Sequence, residues 1–157
     1  MCLKELREKF NLSIQEVSIT TGVPIRTYKR YEADENYGDT LKRKMIESIL
    51  IDKYEITESK GMLNMSLIKN ICENVFRSYN SKIDFCYLFG SYAKGYAKEN
   101  SDVDLFISTS LSGFDFVGLI EVLRKALHKK VDLIRFNNLE NKELLFEILK
   151  DGIKIYG

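Results

Sequence analysis

Two acids one residue apart, Asp102 and Asp104, follow a Gly90-Ser91 pair after ten intervening residues. On a strand, side chains alternate with a period of two, so these carboxylates share one face while Val103, Leu105 and Ile107 share the other. Carboxylates held side by side repel each other unless a cation lies between them. Hard oxygen donors of this kind suit Mg²⁺, which takes one or two carboxylates and completes its shell with substrate phosphates. Upstream, Gly90 permits close backbone approach, and Ser91 offers a hydroxyl and an N–H at an expected helix start. A phosphate binder and a metal binder are thereby joined by a short turn.

The flanking residues supply the elements that must hold this turn. Ile83 to Phe89 is a nearly continuous apolar run and predicts a central strand. A helix from Met65 to Tyr79, capped at Asn64, precedes it, with Ile68, Ile71, Cys72, Val75, Phe76 and Tyr79 at the helical period. After the acidic strand, Asp115 is expected to cap a helix to about Lys129, with Phe116, Leu119, Ile120, Leu123 and Leu127 inward. Lys125, His128, Lys129 and Lys130 crowd the end of that helix, where cations suit the macrodipole, and read as structural or solvated. Val131 to Phe136 predicts a third strand, in which Asp132 is the one acid. A helix from Asn141 to Lys150, stopped at Gly152, and a short strand from Ile153 to Tyr156 complete the chain.

The first third is helical throughout. Leu3, Leu6 and Phe10 mark a short amphipathic helix, and Ser13 with Glu16 forms a capping box for a second that ends at Gly22. Pro24 opens a third, Ile25 to Ala33, with Tyr28 and Tyr31 inward and Arg26, Thr27, Lys29 and Arg30 outward. A fourth, from Asp39 or Thr40 to Tyr54, is expected to bury Leu41, Met45, Ile46, Ile49 and Leu50. Small Ser18 and Gly22 at the corner give a helix-turn-helix layout that resembles the phage-repressor-like class. Three cations and a threonine on one helical face suit phosphate and base-edge contacts in a major groove, with dimerisation to pair two half-sites. The competing reading is a helical interaction module whose charges are simply solvated.

Composition narrows the class. With 157 residues, 45% of them hydrophobic, the chain can bury one core or two small ones. A formal charge of +1 means that any basic surface is local. Cys2, Cys72 and Cys86 are odd in number and unrelated in spacing, and Cys72 and Cys86, in apolar stretches, read as reduced core residues rather than disulfide or metal ligands. No signal peptide and no membrane-length apolar run is visible, so the expectation is a cytoplasmic protein that does not enter a membrane.

Gly90, Ser91, Ala93, Lys94 and Gly95, then Ser101, Asp102, Asp104 and Leu105, meet the pattern G-S-x-A-[RK]-G … S-D-x-D-[LI]. The chain therefore resembles the minimal nucleotidyltransferases of the DNA polymerase β-like superfamily. The resemblance implies that Asp102, Asp104 and a third acid on the neighbouring strand, Asp132, are the catalytic and metal-binding residues, holding two Mg²⁺ ions. It also implies that Gly90, Ser91 and Lys94 bind the phosphates of ATP, with Asp132 either a metal ligand or the base. Only 25 residues follow Asp132, so no separate acceptor domain is expected and the acceptor should be a folded macromolecule. Relatives of this kind act as antitoxins that transfer AMP to a tyrosine of a HEPN-type toxin. The implied partners are such a toxin, the protein's own promoter as duplex DNA, and a second copy of the chain in a homo-oligomer. Two alternatives stand beside this: a DNA-binding regulator or toxin-masking antitoxin with a non-catalytic cleft, and a small-molecule (antibiotic) nucleotidyltransferase. The expected fold class is α+β: an N-terminal all-helical helix-turn-helix domain, residues 1–56, then a small mixed-sheet nucleotidyltransferase domain, residues 62–157, with helices packed on one face.

Overall fold

The structure, a computed structural model, describes residues 1–157. The chain divides into two compact units, Met1–Glu55 and Ile56–Gly157, each with its own core.

The first unit holds four helices: α1 (Leu3–Lys9), α2 (Ile14–Thr21), α3 (Ile25–Ala33) and α4 (Thr40–Tyr54). Their starts follow from local chemistry. Ser13 Oγ accepts from the Glu16 N–H at 3.2 Å while the Ser13 N–H donates to Glu16 Oε2 at 2.7 Å, and Cys2 with Glu5 repeats the arrangement at α1. Gly22, at φ +69°, ends α2 in the left-handed conformation that glycine adopts without steric cost. Leu3, Leu6, Val17, Val23, Tyr28, Tyr31, Ile46 and Leu50 form the core. Arg7, on α1, donates to Glu32 of α3 at 2.6 Å and to the Leu12 carbonyl at 3.0 Å, fastening the first helix to the third. Arg43 donates to the carbonyls of Tyr31, Asp34 and Tyr37, which closes the end of α3 and holds the loop beyond it.

Leu41 and Met45 depart from expectation, at 74% and 52% exposed. Ile46 and Leu50 set which way α4 faces, and Met45 lies about 100° around the helix from Ile46.

The second unit is a four-stranded sheet with helices on both faces. Its elements are α5 (Met65–Arg77), β1 (Ile83–Phe89), α6 (Gly90–Lys94), β2 (Val103–Thr109), α7 (Gly113–Leu127), β3 (Val131–Arg135), α8 (Lys142–Asp151) and β4 (Ile153–Tyr156). Strand order is β3-β2-β1-β4, with β1 antiparallel to both neighbours and β2 parallel to β3. The parallel pair needs a crossover, and α7 provides it. Residues Cys86, Leu88, Val103, Leu105 and Ile107 pack under α5 and α7 against Ile68, Cys72, Phe76, Leu119 and Leu123.

The expectation of helices on one face only is corrected here. Phe85, Tyr87 and Phe89 alternate with the core residues of β1 and make a second apolar surface with Phe106 and Ile134. That aromatic face must also be covered, and α8 covers part of it through Leu144 and Ile148. Smaller shifts occur at element ends. Helix α7 starts at Gly113 with Ser112 at its N-cap, so Asp115 sits in the first turn, and β3 gives way to a 3-10 turn at Phe136–Asn138. The segment 57–61, expected as the boundary, is held within the second unit: Glu58 accepts from Arg124 Nε at 2.5 Å, and the Lys60 carbonyl accepts from Lys129 Nζ at 3.2 Å. No helix is long and apolar enough to cross a membrane.

Candidate active site

Sheet register gathers the acids. Asp104 pairs with Asp132 across the parallel β2–β3 ladder, and with Phe89 across the antiparallel β1–β2 ladder. Paired neighbours project to the same face, so the Asp104 and Asp132 carboxylates stand side by side on the α8 face. Asp102 lies one residue before β2, where the Val103 N–H donates to the Lys130 carbonyl at 2.9 Å and ties the two strand starts together.

Gly90 follows directly on β1 and meets these acids. A Cβ on Gly90 would lie 2.1 Å from Asp104 Oδ2, and its φ of +67° disfavours any residue with a side chain. The corner and the acidic strand are therefore in van der Waals contact. Asp104 is half-buried, and its carboxyl is pushed up to about 6, first by burial and then by the charges of Asp132, Asp102 and Glu147. Beside Asp102 and Asp132 a shallow cleft of about 280 Å³ continues between Ile120, Glu121, Arg124 and Lys130.

Lys94, at the end of α6, is engaged. Its ammonium donates to Glu147 Oε1 of α8, and this hydrogen bond holds its pKa above the usual lysine value. Glu147 was not legible as a site residue: it sits in an ordinary helix with no motif around it, and only the fold brings it to Lys94. Ser91 is partly exposed in α6, and its carbonyl accepts the N–H groups of Gly95 and Tyr96. Tyr92 belongs to the core, so its ring is a packing residue. His128 is the left-handed cap of α7 at φ +53°, and Lys129 is fully buried with its ammonium on the carbonyls of Lys60 and Glu99.

Does this acid group fit Mg²⁺? No set of three or more Asp, Glu, His or Cys side chains converges closely enough to enclose an ion by itself. Asp104 and Asp132 nevertheless stand paired on one face beside the glycine corner, and the donors are hard oxygens of the type Mg²⁺ prefers. Such an ion takes only one or two carboxylates and fills its shell with water and substrate phosphate, so the residues present fit it. In the first unit, Arg26, Lys29 and Arg30 are exposed on α3 and Thr27 partly so. Arg30 Nη1 donates to the Tyr37 hydroxyl at 3.2 Å, whereas no such engagement holds Arg26 or Lys29.

A mixed sheet thus joins a glycine corner to paired acids. The family of polymerase β nucleotidyltransferases matches residues 67–157, and the chain belongs to that family. Two Methanocaldococcus jannaschii proteins named as candidate protein adenylyltransferases are similar to it. One is 35% identical over 78 residues, which is 47% of this chain and 78% of that one. The other is 37% identical over 62 residues, 38% of this chain and 72% of that one. Among solved structures, a toxin–antitoxin crystallised with AMP-PNP superposes at TM-score 0.51 and 27% identity, over 57% of this chain and 73% of that one. A mutant MntA–HpeT toxin–antitoxin pair gives TM-score 0.51 at 25% identity, again over 57% and 73%. The protein is accordingly an enzyme, a nucleotidyltransferase.

Proposed function

We propose that the protein transfers AMP from ATP to a tyrosine of a HEPN-type toxin and acts as that toxin's antitoxin. The observation that carries this reading is the contact of Gly90 with Asp104, itself in register with Asp132: one corner for phosphate beside one acid group for metal and acceptor. In the reaction, the acceptor oxygen attacks the α-phosphorus, the bond to the β-phosphate oxygen breaks, and pyrophosphate leaves. Asp102 and Asp104, with Asp132 beside them, would hold Mg²⁺, which would supply positive charge to the triphosphate and lower the pKa of the acceptor hydroxyl. Asp132, exposed on β3, serves either as a further metal ligand or as the base that takes the acceptor's proton. Gly90 and Ser91 hold the outer phosphates through backbone N–H and hydroxyl, and Lys94 adds a cation. The similarity to a toxin–antitoxin crystallised with AMP-PNP and to adenylyltransferase relatives supports the choice of nucleotide and acceptor class.

The decisive experiment incubates the protein with labelled ATP, Mg²⁺ and the product of the adjacent gene. Label should appear on the partner and be lost in Asp102→Asn and Asp104→Asn. The engagement of Lys94 by Glu147 favours one second reading, an antitoxin that masks its toxin by contact with a cleft that does not catalyse. Full protection of cells from the toxin by both mutants, with no label transferred, would establish that reading instead.

For the first unit, the exposed Arg26, Thr27, Lys29 and Arg30 of α3 support a DNA-binding role, with the protein's own promoter as the site and a dimer as the binding form.

A further inference from the structure

Lys94 occupies the cationic slot of the glycine corner, yet its ammonium is bonded to a carboxylate 53 residues away in the chain. That partner, Glu147, belongs to α8, the helix that covers part of the acid-bearing face, and α6 and α8 are packed against each other. Glu147 adds a negative charge to a face that already carries Asp102, Asp104 and Asp132, and Lys94 is the cation bonded to it. The pair is open to solvent on both sides, with 26% of the lysine and 38% of the glutamate side chain exposed. Pairs this wet are weak and exchange readily, unlike a buried pair whose separation strands a charge. Lys94 lies in the same short helix as Ser91, so a polyphosphate at the Gly90-Ser91 corner comes within reach of its side chain.

We propose that Glu147 is an internal competitor for the nucleotide: its carboxylate holds Lys94 until a polyphosphate takes the ammonium over. This rests on the reading of Gly90, Ser91 and Lys94 as the phosphate site and adds the residue that sets its affinity. Lysine suits such an exchange, because its ammonium is a point charge on a flexible stem rather than a rigid fork. When the phosphates bind, Lys94 turns from Glu147 toward them, and Glu147 is left to water at the exposed edge of α8. Resting affinity is therefore lower than the corner alone would provide.

Calorimetric titration of the full chain with a non-hydrolysable ATP analogue and Mg²⁺ tests this in four proteins: wild type, Glu147→Gln, Lys94→Met and the double variant. Glu147→Gln should bind about two- to fivefold tighter, the size of a partly exposed ion pair, with the gain shrinking at high salt. Lys94→Met should bind more weakly than wild type, and Glu147→Gln should gain less in that background than in wild type. Unchanged or weaker binding by Glu147→Gln would overturn the proposal, as would an equal gain in the Lys94→Met background. Wild-type binding without the Glu147→Gln gain overturns the competitor alone. No binding by any of the four overturns the phosphate-site reading, and the competitor with it.

Discussion

A methyl group on Gly90 would lie 2.1 Å from Asp104 Oδ2, on a backbone at φ +67° that side chains rarely tolerate. Gly90→Ala should therefore cost about 1–3 kcal/mol of stability through strain and displacement of the carboxylate, and remove transferase activity. Urea unfolding alongside a label-transfer assay checks both, and an alanine variant of wild-type stability and activity would contradict the packing. Asp104 makes a separate statement about pH. Its carboxyl, at about 6 in the folded chain against 3.8 as the ordinary value, holds a proton that the unfolded chain has lost between those limits. Stability should fall as pH rises through that window and level off above it, a loss on the order of 1–2 kcal/mol for a half-exposed group. Urea midpoints of wild type and Asp104→Asn, compared from pH 4.5 to 7.5, should converge at the acid end and diverge near neutrality, with the variant more stable there. Parallel curves would mean that Asp104 is not under that strain.

At the scale of elements, buried polar side chains tie helices and loops to one another. Lys129 lies at the α7–β3 junction, fully buried, and its ammonium bonds the Lys60 and Glu99 carbonyls. Glu99 belongs to the loop that runs into Asp102, so this amine anchors the approach to the acids. Burial lowers its pKa, the expected effect where a cation leaves water. Lys129→Met keeps the stem and strands two carbonyls, so a loss of about 2–4 kcal/mol is expected, read by thermal or urea unfolding. Wild-type stability in that variant would show that water satisfies the carbonyls equally well. Arg7 with Glu32 plays the corresponding part between α1 and α3.

On the scale of the molecule, two cores divide the chain between two units, and the proposed functions divide the same way. Arg26→Ala with Lys29→Ala should weaken binding to promoter DNA and flatten its salt dependence while leaving AMP transfer intact, since neither residue has a packing role. Asp104→Asn should do the reverse. Gel-shift titrations at several salt concentrations, run beside the transfer assay, make the comparison. Unchanged DNA binding after the double substitution would remove α3 as the reader.

Local chemistry was legible in the amino-acid order. Caps at Ser13 and Asn64, the stop at Gly22, the inward tyrosines of α3 and the strand that carries Asp132 are all set by backbone conformation and short-range periodicity. The glycine–serine corner and the paired acids were readable for the same reason, since a turn and a strand place them within one short stretch. What the chain order could not reveal was which distant groups meet. Asp132 was expected beside the other acids only through the family resemblance, and its place opposite Asp104 comes from the β2–β3 register; Glu147 reaches Lys94 only because α8 folds back over the aromatic face of β1. Leu41 and Met45 show the limit from the other side: apolar side chains on a helix name a possible core, but the packing partner chooses which of them is buried. Periodicity and spacing are properties of a segment, whereas pairing of charges and covering of faces are properties of the folded whole.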